Sequence, residues 1–354
     1  MSGRIFRTAS VAMIFMGTVI GAGFASGQEI SYFFTRHGIM GAWGVLISAV
    51  FLGVFGAKFM LWGRTYRAGS YRMLFSLATG PRLGGIGDLF VTIVLLVLAG
   101  VMVAGAGALI EEIGGLWIVG VGITALLCIV VLNFRLSGIR GFNLLVIPLL
   151  IGTGVIVAGT SFFLTPHLKS VEAVKGWPFS ALLYSGYNLL LALPVLVAVH
   201  QLEPDERILR WGGWIGGLGL GLTALLFHLA LLRTPNGLFQ SELPLFPILA
   251  RWGGWARGIY AFVLWGELFT TYIANIYGLV QRWGEIRSPS YRWRLILVVI
   301  ASILIGQFGF APLIQKVYPI FGLFSLLLLV YLFFKLTPVI PEKGVKVLET
   351  PEKL

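Results

Sequence analysis

Cysteine, histidine and charged residues are scarce in this sequence. The single cysteine, Cys128, cannot form a disulfide within the chain or build a cysteine metal cluster. The four histidines are scattered, so the ligand spacing of a metal hydrolase is missing. Only 11% of the 354 residues are charged, while 58% are apolar. This composition argues against a soluble enzyme and is typical of a polytopic membrane protein surrounded by lipid.

A nucleotide-binding loop is missing as well. The glycines of Gly21-Ala22-Gly23 follow no predicted strand and lack the rest of the phosphate-binding fingerprint. Without an ATP-binding motif, any pumping would have to draw on an ion gradient. We therefore expect no enzyme activity and no cofactor, with sodium or a proton as the coupling ion.

Long apolar runs are what the chain has in abundance. Reading runs of roughly 20 residues predicts ten membrane spans in one transporter domain, residues 1–336, followed by a cytoplasmic tail, residues 337–354. Spans one to five cover about 8–164 and spans six to ten about 178–336. The ten spans are 8–36, 39–63, 86–110, 116–134, 142–164, 178–200, 211–232, 256–281, 293–311 and 314–336.

The positive charge is distributed as a topology signal. The formal net charge is +12, but the basic residues fall in short clusters between apolar runs, which does not indicate a nucleic-acid partner. With both termini inside, about three quarters of the 26 Lys and Arg residues lie on cytoplasmic segments. We therefore predict a multi-pass cell-membrane protein with cytoplasmic N and C termini.

Two of the spans contain residues that interrupt a helix, at matching places in the two halves. The first span contains Gly21-Ala22-Gly23-Phe24-Ala25-Ser26-Gly27, and the sixth contains Tyr184-Ser185-Gly186-Tyr187-Asn188. Irregular backbone at membrane depth is tolerated only where it is buried or lines a cavity. Paired interruptions of this kind are the best sequence pointer to a secondary transporter's binding site. The sequence therefore predicts a 5+5 inverted repeat, with the substrate between the two breaks.

This arrangement resembles the LeuT fold of the amino acid–polyamine–organocation superfamily. A more specific resemblance lies in Met16-Gly17-Thr18-Val19-Ile20-Gly21-Ala22-Gly23-Phe24-Ala25-Ser26-Gly27-Gln28-Glu29-Ile30, which looks like the first helix of the YkvI-like membrane proteins. That family is related to branched-chain amino acid carriers and spore germinant receptor subunits. The resemblance implies an all-α transporter fold with discontinuous first and sixth helices, and it implies no particular substrate.

Glu29 follows the first interruption, and two interpretations of it stay open. Ser26 and Glu29 have the spacing of a capping box, in which Ser26 caps the second half of the helix and Glu29 reaches back. Alternatively, Glu29 is a membrane-embedded acid that attracts a cation or carries a proton. Because Ser26 and Glu29 would already occupy free amides at the break, we expect a cationic or zwitterionic amine as substrate.

The eighth span places a second acid about halfway across the membrane. Glu267, Thr270 and Thr271 share one helix face, because they lie three and four residues apart. Glu267 either loads and releases a proton or is a buried, protonated acid with a structural role. The resemblance to the fold also implies a sodium site, in which the carbonyls of Gly17 and Ile20 lie opposite Thr270 and Thr271. A carboxylate at position 267 departs from the usual sodium pattern.

The residues of the second interruption complete the predicted site. Ser185, Gly186 and Asn188 would free backbone groups. Tyr184 and Tyr187 either form an aromatic wall that attracts amines by cation–π contact or pack at a helix interface. The leading hypothesis is ion-coupled symport of a small amine or amino acid. The alternative is a ligand-sensing receptor subunit of the germinant-receptor type, which would need partner chains. Oligomeric state stays open.

Overall fold

Most of the residues described by this computed structural model are helical. The described residues are 2–68, 73–74, 81–134, 152, 156, 159, 161, 174–234, 241–249, 253–282 and 290–336. Nearly all of the predicted fifth span, 142–164, and the predicted tail, 337–354, lie outside them. The helices are α1 Ser2–Val19, α2 Ala22–Ala25, α3 Gln28–Phe33, α4 Met40–Thr65, α5 Pro81–Glu112, α6 Trp117–Phe134, α7 Trp177–Ala198, α8 Glu206–Leu231, α9 Phe246–Leu249, α10 Gly254–Arg282, α11 Tyr291–Gly306 and α12 Phe310–Leu336.

Within this part of the chain, six helices are long and apolar enough to cross a membrane. They are α4, α5 from Leu89 onward, α7 with the turn that follows it, α8, α10 and α12. The shorter helices α1, α6 and α11 also coincide with predicted spans. An α-helix satisfies its own backbone hydrogen bonds, so long apolar runs fold this way where water is absent.

The helices form two packed groups. In the first, α8 packs on α4 and α1, and α4 also packs on α7. Small residues permit this close approach: a Cβ atom on Gly217 of α8 would lie 2.3 Å from the backbone nitrogen of Gly53 on α4. In the second group, α10, α11 and α6 pack on α5, while α12 contacts both α7 and α5.

Polar contacts define a common face at one end of the bundle, here called the N-terminal face. Arg7, near the start of α1, donates two hydrogen bonds of 2.6 and 2.7 Å to Glu203 in the α7–α8 linker. Arg64, at the end of α4, donates to the carbonyl of Pro204 at 2.8 Å. Tyr66 donates to the carbonyl of Leu336, the last residue of α12, at 3.0 Å. The start of α1 and the end of α12 therefore lie at the same face.

The predicted interruption of the first span is confirmed. Helix α1 ends at Val19, and Gly21 is extended, with φ −109° and ψ −173°. After the single turn of α2, Gly27 has a φ of +83°, which glycine adopts without the strain a Cβ would bring. The chain then resumes as α3, so the break has two points, one on each side of α2.

The predicted interruption of the sixth span is wrong. Helix α7 runs continuously through residues 184–188. The Ser185 hydroxyl donates to the carbonyl of Ala181 at 2.9 Å, and the Asn188 amide donates to the carbonyl of Tyr184 at 3.0 Å. A Cβ on Gly186 would lie 2.7 Å from the carbonyl oxygen of Gly322 on α12. Gly186 therefore brings two helices together and opens no backbone.

Candidate functional site

The break in the first span lies at the centre of the candidate site. The last carbonyls of α1 and the first amides of α2 lie at helix ends. An α-helix provides no hydrogen-bond partner of its own for such terminal groups. Gly17, Thr18 and Gly21 are half-buried, whereas all four residues of α2 are buried. Phe24 of α2 packs on Phe227 of α8, with ring centroids 5.5 Å apart. Polar backbone thus lies beside accessible space at this break.

Glu29 is buried next to the break and is bonded across the bundle. Its side chain is 4% exposed, and its Oε2 accepts a hydrogen bond from the hydroxyl of Tyr187 on α7. Its Oε1 lies against Gly23, because a Cβ atom on this glycine would come within 2.2 Å of the oxygen. Glu29 and Tyr187, 158 positions apart in the sequence, are therefore brought together, as a site between the first and sixth spans requires.

The capping-box interpretation of Glu29 is wrong. Gly27 occupies the cap position of α3 and makes no side-chain cap bond. In a capping box the Glu29 side chain would accept a hydrogen bond from the backbone N–H of Ser26. That N–H donates instead to the carbonyl of Ala22 at 2.8 Å. Ser26 still accepts a long bond of 3.3 Å from the N–H of Gln28. Glu29 turns toward α7, where its partner is the Tyr187 hydroxyl.

Aromatic rings surround the Glu29–Tyr187 pair. Tyr187 stacks on Phe33 at 5.6 Å and contacts Tyr318 of α12 at 4.8 Å, measured between ring centroids. Tyr184 packs edge-on against Phe34 at 4.8 Å, and its buried hydroxyl has no hydrogen-bond partner among the described residues. Tyr184 and Tyr187 therefore lie in one aromatic cluster. Sequence reasoning missed Tyr318, because no motif on its own span points to the site.

A segment between α8 and α10 covers the break from the face opposite the N terminus. The N–H of Leu245 donates to the carbonyl of Ser26 at 3.0 Å. The Leu245 side chain packs against Gly27, because a Cβ atom on this glycine would lie only 2.6 Å from Cγ of Leu245. Tyr260 of α10 donates to the carbonyl of Ala25. Sequence reasoning missed both residues, since they lie outside the predicted interruptions.

Glu242 ties the same covering segment to α12. Its carboxylate accepts a hydrogen bond from the N–H of Ala311 at 2.5 Å. Burial raises the pKa of this carboxyl, and the bond to Ala311 opposes that rise. The segment is therefore anchored at both the break and the start of α12.

Glu267 is the second buried acid, on the continuous helix α10. It is 6% exposed, and its Oε1 accepts a long bond of 3.4 Å from the hydroxyl of Thr271. Its Oε2 is buried without a hydrogen-bond partner among the described residues. Thr270 donates to the carbonyl of Glu267 at 3.2 Å, so its hydroxyl is bonded within its own helix. The acid thus keeps one carboxylate oxygen available for a proton or a cation.

The sodium arrangement of Gly17, Ile20, Thr270 and Thr271 stays a prediction. Helix α10 packs on α5 and α2, and both threonine hydroxyls bond to Glu267. Across the described residues, no three His, Cys, Asp or Glu side chains are grouped as a metal site would need.

Comparison with known proteins places this architecture in a class. The fold is similar to that of Mhp1 in its inward-facing conformation, with a TM-score of 0.69 and 13% identity over 93% of this chain and 76% of Mhp1. A second Mhp1 structure, closed and with bromovinylhydantoin bound, gives a TM-score of 0.60 and 16% identity over 92% of this chain and 75% of Mhp1. The chain is therefore an all-helical membrane protein with the LeuT-type fold.

The family follows from a closer relative. The chain is 32% identical to the uncharacterized membrane protein YkvI of Bacillus subtilis over 335 residues, covering 93% of this chain and 96% of that protein. It thus belongs to the YkvI family. No protein-family model matches the sequence.

Proposed function

We propose that this protein is a secondary active transporter that couples a small amine or amino acid to an ion by alternating access. The observation that carries the proposal is the break between α1 and α2, where Gly21 is extended and half-buried and the buried carboxylate of Glu29 lies against Gly23 in the turn that follows. Discontinuous helices that line a cavity are the usual binding element of secondary transporters. The LeuT-type fold supports the same function class.

The substrate class follows from the charge at the break. A helix start at membrane depth attracts anions, but Glu29 already lies against Gly23 at the start of α2. A second anion there would meet a buried carboxylate, whereas an amine would be attracted by it and by the faces of Tyr184 and Tyr187. We therefore assign the amine end of the substrate to Glu29 and this aromatic cluster.

Glu267 is the proposed coupling group. Sodium needs several oxygen ligands, and the hydroxyl of Thr270 is bonded to its own helix. A proton needs only one unpartnered carboxylate oxygen, which Oε2 provides. The arrangement therefore favours a proton over sodium, and an intramembrane acid of this kind is functional by default.

Thermal unfolding of the purified protein tests the proposal even before the substrate is identified. Amines, amino acids and dicarboxylates would each be tested in sodium and potassium buffers, at about pH 5.5 and about pH 8. A ligand that binds only the folded state raises the unfolding midpoint. We expect a stabilising amine whose effect depends on pH and not on sodium.

Two variants make the outcome specific. Glu29→Gln should remove the stabilisation by the amine, and Glu267→Gln should keep the stabilisation but remove its pH dependence. A dicarboxylate that binds tightly and is unaffected by Glu29→Gln would contradict the amine assignment. No stabilising ligand in any buffer would favour the receptor-subunit alternative over transport.

A further inference from the structure

One face of α10 carries polar or small residues over its C-terminal half. Glu267, Thr271, Asn275, Gly278 and Arg282 follow one another at three- and four-residue intervals, so they share one face of the helix. The series spans about 22 Å along the helix axis at the standard rise per residue. It leads from the buried Glu267 to the end of α10.

Two buried polar atoms of this face have no hydrogen-bond partner among the described residues. These atoms are Oε2 of Glu267 and Nδ2 of Asn275, and the two side chains are 6% and 7% exposed. Thr271, which lies between them, is half-buried, as are Gly278 and Arg282. Buried polar groups are normally paired, so unpaired ones in line indicate that water completes them.

This face is directed at α5. A Cβ on Gly278 would lie 3.4 Å from Cδ1 of Leu95, and Arg282 donates a 3.1 Å hydrogen bond to Thr92. Both α5 residues lie in its N-terminal half, which places the end of α10 toward the N-terminal face of the protein. The break in the first span contacts α10 elsewhere, at Tyr260.

We propose that water enters between α5 and α10 from the N-terminal face, passes Gly278 and Asn275, and reaches Glu267. The proton would then travel by a route separate from the substrate's path at the helix break. This inference rests on the proposed function, in which Glu267 is the coupling acid. Among the described side chains of α10, Tyr272 and Tyr260 lie off the route, since Tyr272 pairs with Ser302 at 2.8 Å and Tyr260 bonds to Ala25.

Cysteine accessibility in membranes tests this route. The single native cysteine, Cys128, is buried and would be replaced by alanine as the background. Asn275→Cys and Gly278→Cys would be exposed to a small charged methanethiosulfonate reagent in permeabilised vesicles. The thiolate is the reactive form, and it needs water. We expect both cysteines to react at least about tenfold faster than Ile276→Cys, which lies on the opposite face and is fully buried.

The controls make each outcome decisive. Leu202→Cys in the exposed α7–α8 linker reports full reactivity, and size-exclusion chromatography reports folding. If Asn275→Cys does not fold, Thr271→Cys is used instead, because cysteine and threonine side chains are similar in size. Reaction at Gly278→Cys alone, or at neither position, would overturn the route to Glu267. No substrate is needed, so a failed ligand panel and a failed accessibility test remain separate results.

Discussion

The two buried acids of this protein are held in different ways. Glu29 lies on a short helix beside the break, with Tyr187 on one oxygen and Gly23 against the other. Glu267 lies within a continuous helix of 29 residues, with one long bond to Thr271 and one unpartnered oxygen. A carboxyl group held by a partner from another helix suits a group that positions a ligand, whereas an incompletely paired one suits a group that changes its proton state.

The largest expected effect separates the two acids by function. Using the amine found by thermal unfolding, Glu267→Gln should abolish the pH dependence of its affinity, a coupling factor of roughly 5–150. Glu29→Gln should weaken the affinity itself, because the carboxyl group that binds the amine is lost. Ligand titrations at two pH values measure both quantities. The comparison fails if the two variants change affinity and pH dependence in the same way.

The next effect separates the acids by stability. Tyr187→Phe removes the hydroxyl bonded to Glu29 and leaves a buried oxygen unpaired, which should cost about 1–3 kcal/mol of unfolding free energy. Thr271→Val removes only a 3.4 Å bond from Glu267 and should cost clearly less. Denaturation of both variants under one condition checks the order. Equal losses would mean that the two acids are equally dependent on their partners.

A smaller effect tests the backbone that supports Glu29. Gly27→Ala places a Cβ on a residue with a φ of +83° and against Leu245, so we expect a loss of about 1–2 kcal/mol. Gly122→Ala in α6 is the matched control, since nothing lies within 4 Å of its Cβ position. The control should be neutral or slightly stabilising in the same unfolding assay. A neutral Gly27→Ala would contradict a strained cover over the break.

The smallest effect concerns an acid outside the membrane, which serves as the reference. Hydrogen bonds from the N–H groups of Arg207 and Ile208, with Arg4 and Arg7 nearby, hold the pKa of Asp205 below its ordinary value. Its contribution to stability is therefore present at neutral pH and is lost as pH falls through the lowered pKa. Asp205→Asn should reduce the unfolding midpoint slightly at neutral pH and not at strongly acidic pH. A midpoint unchanged at neutral pH would show that the charge of Asp205 contributes nothing to stability.

Much of the fold could be predicted from local sequence. Apolar runs separated by basic clusters identify the spans, and Gly21, Gly23 and Gly27 within seven residues identify the broken first span. Glu29 and Glu267 could be found as acids inside apolar runs. These signals are local, because each concerns the solvation of one segment's own backbone or side chain.

The error in the sixth span has a physical cause. Ser185, Gly186 and Asn188 have the composition of a break, but the serine and asparagine bond back to their own helix and the glycine receives the backbone of α12. Whether a glycine breaks its helix or lets another helix pack closely depends on the neighbouring helix, which the local sequence does not reveal. The roles of Leu245, Tyr260 and Tyr318 were missed for a related reason, since each is defined by a partner distant in the sequence.

The sequence by itself determined that this chain crosses the membrane many times, that its first span is broken, and that two acids lie inside it. Backbone and side-chain solvation decides these features, and it acts on each segment separately. The tertiary structure decided that α7 stays continuous, that Glu29 bonds to Tyr187 in place of a cap, and that Glu267 keeps an unpartnered oxygen. Those features depend on which helices pack together, because a buried polar group takes the partner that packing brings within reach.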